Sequence, residues 1–461
     1  MPYDSQLMAY KSIYRLANDK KIKETLSNWK IKENTDEEKS KVEFNSNIKP
    51  SNWLPNYIIA IDGSKQEEIV KNGFPMSEIS YITVASAILD MQKLNSPHKR
   101  PLEPKKFREL EQSQSIDMVF SGANIIKDGC SSAEETLREV IYTNLKDKKI
   151  MGDDSESLLE TYEALLKYRI DELSKSTRKP KCPYENCQKV DQEMDMGYGE
   201  YKCSCSLQNK MYSTDAMRLY EEMNPVSTNA GMFSLIMQAL ERLFLINIIR
   251  NIERKNWTSS FSRLGFIIDG SLAVFSRASW LHSAINKELI RINKIVRKET
   301  GKDILMIGIE KSGAFVEHFE NLDKSHKHFI NGKEHNGLAP QSIKLLTDEY
   351  IKKNIIFSNS VKPYGEGTYF GRKIFYKSKN GSLIVATIPF LDEKHKNLND
   401  ISLNNFPRLE DILNTIDKIT SSMYPNSLTP IISAHNEATI PLNIGQRVLE
   451  KITKETMQNG N

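Results

Sequence analysis

The chain has 461 residues, 64 basic and 60 acidic, for a net charge of +4. That length holds a large core and more than one folded unit. The even charge balance excludes a chain-wide basic character, so a nucleic-acid surface has to be a local patch.

The first residues, Met1-Pro2-Tyr3-Asp4-Ser5, lack the basic-then-apolar pattern of a secretory signal. The most apolar long stretch, 240–252, carries Glu241, Arg242 and Arg250 and is too short and too charged to cross a membrane. No membrane association and a cytoplasmic location are expected. Five cysteines in that compartment do not form a disulfide framework.

Residues 1–50 are strongly charged with sparse apolar positions such as Leu7, Tyr10, Ile13 and Tyr14, which suits a helical arm. Pro50 and Pro55 bracket the entry to an aliphatic strand, Tyr57-Ile58-Ile59-Ala60-Ile61, which ends in Asp62-Gly63-Ser64. A carboxylate at the tip of a buried strand lies where an open α/β sheet presents its chemistry. The stretch 81–89 reads as a companion strand, and 51–95 as the first part of the core. Pro97 to Lys106 is a basic, proline-rich connection, read as a solvated loop.

The stretch 96–210 is expected to be an insertion, with helices at 132–146 and 155–174. It contains Cys182, Cys187, Cys203 and Cys205 in a C-x4-C…C-x-C pattern. Two close pairs across a short polar stretch suit a tetrahedral four-cysteine site for structural Zn²⁺, placed in a small segment at 180–207. Ser213-Thr214-Asp215 reads as a helix N-terminus.

The core is expected to resume over 211–450, with 451–461 a tail. A helix over 232–254 is apolar around most of its circumference and should be buried. It carries Glu241, a costly carboxylate there unless paired or metal-bound. It leads into a second strand of the same design, Leu264-Gly265-Phe266-Ile267-Ile268, ending in Asp269-Gly270-Ser271. An amphipathic helix over 277–298 and a strand over 304–309 follow, the latter ending at Glu310-Lys311. Two further strands flank Asn380-Gly381 as a hairpin. A helix over 409–423 then precedes Tyr424 and His435.

Phosphodiester cleavage by divalent ions needs clustered acidic side chains. Asp62, Glu241 and Asp269 are the natural set, with oxygen donors that suit Mg²⁺ or Mn²⁺. Glu253, nearer the second strand, is the other helical candidate, and the apolar neighbours of Glu241 favour the latter. His435 completes a manganese site or transfers protons. Lys311 is a candidate for holding the scissile phosphate.

The order of these features resembles the NurA family of nucleases. The features are the strand ending in Asp62-Gly63-Ser64, the helix with Leu240-Glu241-Arg242, the strand ending in Asp269-Gly270-Ser271-Leu272, Lys311, and Tyr424-Pro425 before Ala434-His435. The cysteine segment followed by Tyr212-Ser213-Thr214-Asp215 resembles the insertion of larger bacterial members. The resemblance implies an α/β fold: an RNase H-like core, with a mixed sheet flanked by helices, and a helical insertion bearing the four-cysteine zinc segment. It implies Mn²⁺-dependent DNA cleavage, as a 5′-to-3′ exonuclease and single-strand endonuclease. It also implies a homodimer working with a HerA-type hexameric ATPase in DNA end processing or anti-phage defence. Asp62, Glu241, Asp269 and His435 match the family's metal site, and Tyr424 its tyrosine. The alternatives are a non-catalytic nucleic-acid-binding adaptor on the same core and an RNA-directed nuclease, since no module for reading 2′-hydroxyls is visible.

Overall fold

The computed structural model describes residues 13–29, 35–70, 74–94, 111–174, 179–393, 401–420, 426, 428–439, 448–449 and 451–452. The basic stretch at 97–106, Tyr424 and most of the chain after 439 lie outside the described residues.

The described strands are β1 (Tyr57–Ile69), β2 (Glu78–Asp90), β3 (Glu111–Ser121), β4 (Glu200–Lys202), β5 (Lys210–Tyr212), β6 (Leu264–Asp269), β7 (Leu305–Glu310), β8 (Lys327–Ile330), β9 (Lys333–Asn336), β10 (Ile343–Leu345), β11 (Gly371–Lys377) and β12 (Leu383–Pro389). Eight of them form one mixed sheet in the order β10-β11-β12-β7-β6-β1-β2-β3. β1, β2 and β3 are antiparallel neighbours, while β6 runs parallel to β1 and β7 parallel to β6. The expected hairpin around Asn380-Gly381 is β11–β12.

The longer helices are α1 (Ala133–Asp147), α2 (Leu158–Leu173), α3 (Ala230–Arg254), α4 (Leu281–Thr300), α5 (Ala314–Ser325), α6 (Leu409–Ile419) and α7 (Thr429–Ala438). The unbroken apolar run of β1 follows from its burial on both faces. Ile59 and Ile61 join a core built with α1 to α4, whereas Ile58 and Ala60 join a second core with α6 and α7. The alternation of a strand thus divides one sequence between two layers. By the same alternation Asp62 belongs to the α7 side.

The sheet reaches into the stretch expected to be an insertion. β3 pairs with β2 from Leu89↔Glu111 to Ile79↔Ser121. Ile116, Met118 and Phe120 are buried, while alternate residues of this edge strand are exposed. The half-polar pattern hides the strand among charged neighbours. The helices α1 and α2 share the core of α3, so the region between β3 and α3 is packed into the body of the protein.

The turn at 213–217 is a short 3-10 segment, not the start of an α-helix. Its Asp215 is committed elsewhere: the carboxylate accepts from Arg138 at 2.7 Å and from the Tyr212 N–H at 2.9 Å. The arm before β1 is anchored at its end. Phe44 stacks on Phe319, with centroids 5.9 Å apart, and Asn45 bridges Ile343. The helix at Lys20–Ser27 buries no residue.

α3 starts at Ala230, where the buried Glu78 carboxylate accepts the Asn229 N–H at 2.7 Å. An acid at that end complements the helix dipole. α3 is long and apolar enough to cross a membrane, but 78% of its most apolar window is buried inside the protein.

The chain after β6 folds back over β7 at Gly308. A Cβ there would sit 2.6 Å from the Gly270 carbonyl oxygen and 2.9 Å from the Leu272 nitrogen. These are backbone atoms and cannot rotate away. Gly308→Ala is therefore expected to destabilise by about 1–3 kcal/mol through overpacking, measured as a lowered midpoint in denaturant.

Candidate active site

Asp62 lies where β1 runs on from its aliphatic stretch, and Asp269 is the last residue of β6. The parallel register pairs Ile61 with Ile268, so Asp62 comes beside Asp269. Only Asp269 ends its strand: β1 runs on to Ile69, with Gly63 and Ser64 paired to Val84 and Thr83 of β2, so Asp62-Gly63-Ser64 is strand where a strand-ending turn was expected. Glu241 approaches from α3 on the opposite face. It is admitted because position 63 is glycine: a Cβ on Gly63 would stand 2.5 Å from Glu241 Oε1. Asp62, Glu241, Asp269 and His435 line one open cavity of about 590 Å³.

Each acid has a basic neighbour. His435 Nδ1 lies 2.8 Å from Asp62 Oδ2, bringing α7 to β1. Lys311 Nζ lies 2.6 Å from Asp269 Oδ2. Arg242 pairs with Glu241 and donates to the Ser271 carbonyl at 2.8 Å and the Ala273 carbonyl at 3.2 Å. One buried arginine thus ties the helical acid to the turn that follows Asp269. That turn is tight: Gly270 has φ +88°, in the region that favours glycine.

The cavity keeps an excess of negative charge. Burial and the Asp269 charge raise Asp62 from 3.8 to about 6, against the pull of Lys311 and His435. Burial, opposed by Arg242 and reinforced by Asp62 and Asp269, raises Glu241 from 4.5 to about 7. Crowded, desolvated carboxylates are the environment that a divalent cation relieves. The donor set fits a hard metal ion in kind, being carboxylate oxygen with one imidazole. Asp62, Asp269 and Glu241 would hold it, with His435 at its margin.

Glu253 is not part of this site. It forms a two-point pair with Arg291 at 2.7 and 2.6 Å, on α4. Tyr424 lies outside the described residues. Among the cysteines, the sulfurs of Cys182, Cys187 and Cys203 lie within 4.8 Å of one another. Cys205 is buried with them in the same core but falls outside that tight group. Among the described residues theirs is the set of three ligand atoms so closely spaced; the acids of the cavity are spread wider.

Sequence reasoning passed over Glu310 and Lys373, which also line the cavity. Lys373 is 2% exposed. It pairs with Glu310 and packs against Phe315 and Tyr369, its Nζ 4.2 and 5.0 Å from the ring centroids. The available signal was weak, because Lys373 stands next to Arg372 in a strand that also holds Lys377.

The acids make stability depend on pH in a definite direction. Both have folded pKa values above their ordinary ones, so the folded state holds more protons than the unfolded state between about pH 4 and 7. Their contribution therefore falls as pH rises through that window and stays unfavourable above it. In EDTA, Asp62→Asn is expected to raise the thermal midpoint at pH 8 and to flatten its dependence between pH 4 and 7. Melting curves across that range check this, and an equal slope in the variant refutes it.

A comparison with curated proteins finds no match. Among solved structures the chain is similar to the NurA nuclease from Sulfolobus solfataricus, at 10% identity and TM-score 0.37, covering 100% of this chain and 97% of that one. Another crystal structure of NurA matches at 9% identity and TM-score 0.27, over 97% and 95% of the two chains. A crystal structure of NurA with manganese matches at 10% identity and TM-score 0.23, over 97% and 96%. The family assignment rests instead on the sequence, because the NurA domain family model matches residues 57–440. That span is most of the chain and contains all the acids of the cavity, and the chain belongs to the NurA family.

Proposed function

We propose that this protein is a metal-dependent nuclease that hydrolyses phosphodiester bonds in DNA. The observation that carries the reading is the side-by-side placement of Asp62 and Asp269 on adjacent parallel strands, with Glu241 brought to them through the space at Gly63. The strand order β3-β2-β1-β6-β7, antiparallel then parallel, supports an RNase H-like core. The set of acids is intact, which favours an enzyme over a non-catalytic adaptor.

A bound Mn²⁺ or Mg²⁺ supplies charge to the phosphate oxygens and makes water a better nucleophile. The chain's residues do the rest. Asp62, Asp269 and Glu241 would hold the cation. His435 binds Asp62 through Nδ1, and its ring is more than half exposed, which leaves Nε2 to exchange a proton with water or the leaving oxygen. Lys311, 2.6 Å from Asp269, would offer a positive charge to the substrate phosphate. Manganese is the ion favoured by the family resemblance, and one of the similar NurA crystal structures is that of NurA with manganese.

The resemblance also supports 5′-to-3′ exonuclease and single-strand endonuclease activity, a homodimer, a cytoplasmic location and a HerA-type hexameric ATPase as partner. The role is DNA end processing or anti-phage defence. The clustered sulfurs of Cys182, Cys187 and Cys203, with Cys205 buried beside them, support a structural Zn²⁺. RNA as substrate is the second reading to be separated by assay.

Labelled single-stranded DNA, duplex DNA and RNA are to be incubated with Mn²⁺, Mg²⁺ or EDTA, with and without a HerA-type ATPase. Cutting of DNA that needs the metal and disappears in Asp269→Ala is expected. Metal-independent cutting, or cutting by pure Asp269→Ala protein, overturns the site. Elemental analysis should find about one zinc per chain. Cys203→Ser should lose it and unfold at a lower temperature; a full zinc content in that variant removes the cysteine site.

A further inference from the structure

Two of the residues nearest the acids are held by a third that no part of the proposed reaction uses. Ser271 follows Asp269 by two positions, and Glu310 immediately precedes Lys311. The Ser271 hydroxyl donates to the Glu310 carboxylate. Lys373, from β11, pairs with the same carboxylate, and its Nζ lies 3.4 Å from Ser271 Oγ. Three strands away in the order of the sheet from Asp269, this lysine reaches the ends of both β6 and β7.

Its path is prepared. Lys373 pairs with Thr387 on β12, and Thr387 with Gly308 on β7. Phe315 and Tyr369 pack around the ammonium. Burial lowers the Lys373 pKa to about 7. Placing an ammonium in such surroundings is costly, and a methionine would fill the space more cheaply. The position therefore calls for a role beyond stability.

We infer that Lys373 is a positioning residue. Through Glu310 and Ser271 it locks the turn after Asp269 against the start of the Lys311 segment, and so fixes the Asp269–Lys311 pair where a divalent cation is to be held. The inference rests on the nuclease reading for the cation. It adds that the cation's affinity is set in part from β11. Residues behind metal ligands commonly change affinity by about 10–100-fold when removed.

The test uses the full chain and reads the thermal midpoint against Mn²⁺ concentration, which needs no cleavage. Ligand binding to the folded state raises that midpoint. Lys373→Met is expected to need roughly tenfold more Mn²⁺ for half of the wild-type rise. Lys377→Met is the control. It removes another buried lysine of the same strand, paired at 2.8 Å with Asp323 outside the cavity. It should lower the midpoint yet keep the wild-type Mn²⁺ titration. The double variant Glu310→Gln/Lys373→Met leaves no buried charge unpaired and should show the same weakening as Lys373→Met. A wild-type titration in Lys373→Met or in the double variant overturns the inference alone. So does equal weakening in Lys377→Met. A wild-type protein whose midpoint ignores Mn²⁺, and which does not differ from Asp269→Ala, overturns the metal reading and the inference together.

Discussion

The structure depends on a repulsion. Asp62 and Asp269 sit side by side on neighbouring strands, and Glu241 faces them from a buried helix. Like charges in such surroundings raise one another's pKa and destabilise the fold that brings them together. The protein offsets this with Arg242, Lys311 and His435, one against each acid. Three carboxylates against two permanent cations and a histidine leave the cavity short of positive charge. The shortage suits a bound cation, and carboxylate oxygens are the donors that a hard divalent ion prefers.

Holding acids close requires that nothing else occupy the space, and the local backbone meets that demand with glycine. Gly63 lets Glu241 come up to β1, and Gly308 lets the turn after Asp269 fold onto β7. Arg242 then joins these two events. Its guanidinium spans Glu241 and the carbonyls of Ser271 and Ala273. The fork geometry of arginine makes several directed hydrogen bonds at once, which a lysine cannot reproduce.

Much of the site was legible because its residues break their local patterns. Asp62 and Asp269 end aliphatic runs, and Glu241 interrupts an apolar helix. A charge in an apolar element has few explanations, and the structure brings all three together. Glu253 lay closer to the second strand in sequence, but helical geometry turns it toward Arg291 on α4. β3 was not read because only one of its faces is apolar and the stretch before it is charged. Lys373 was not read either, because it shares its strand with Arg372 and Lys377 and does not stand out as the acids do in theirs. Its partners are Ser271 and Glu310, 102 and 63 positions away, and no local period points to them.

The region between β3 and α3 bears on the site through α3. Arg138 on α1 pairs with Asp215 and stands 4.7 Å from the Tyr184 ring centre, within the cysteine segment. Asn247 on α3 donates to the Glu156 and Ser157 carbonyls at the start of α2, at 2.9 and 3.1 Å. Arg250 pairs with Glu156 at 2.7 Å. Glu241 lies two turns before these contacts on the same rigid helix. A helix buried on nearly all sides takes its axial position from its neighbours, because packed interiors transmit small shifts. The start of α2 thus helps to fix the height at which Glu241 meets β1.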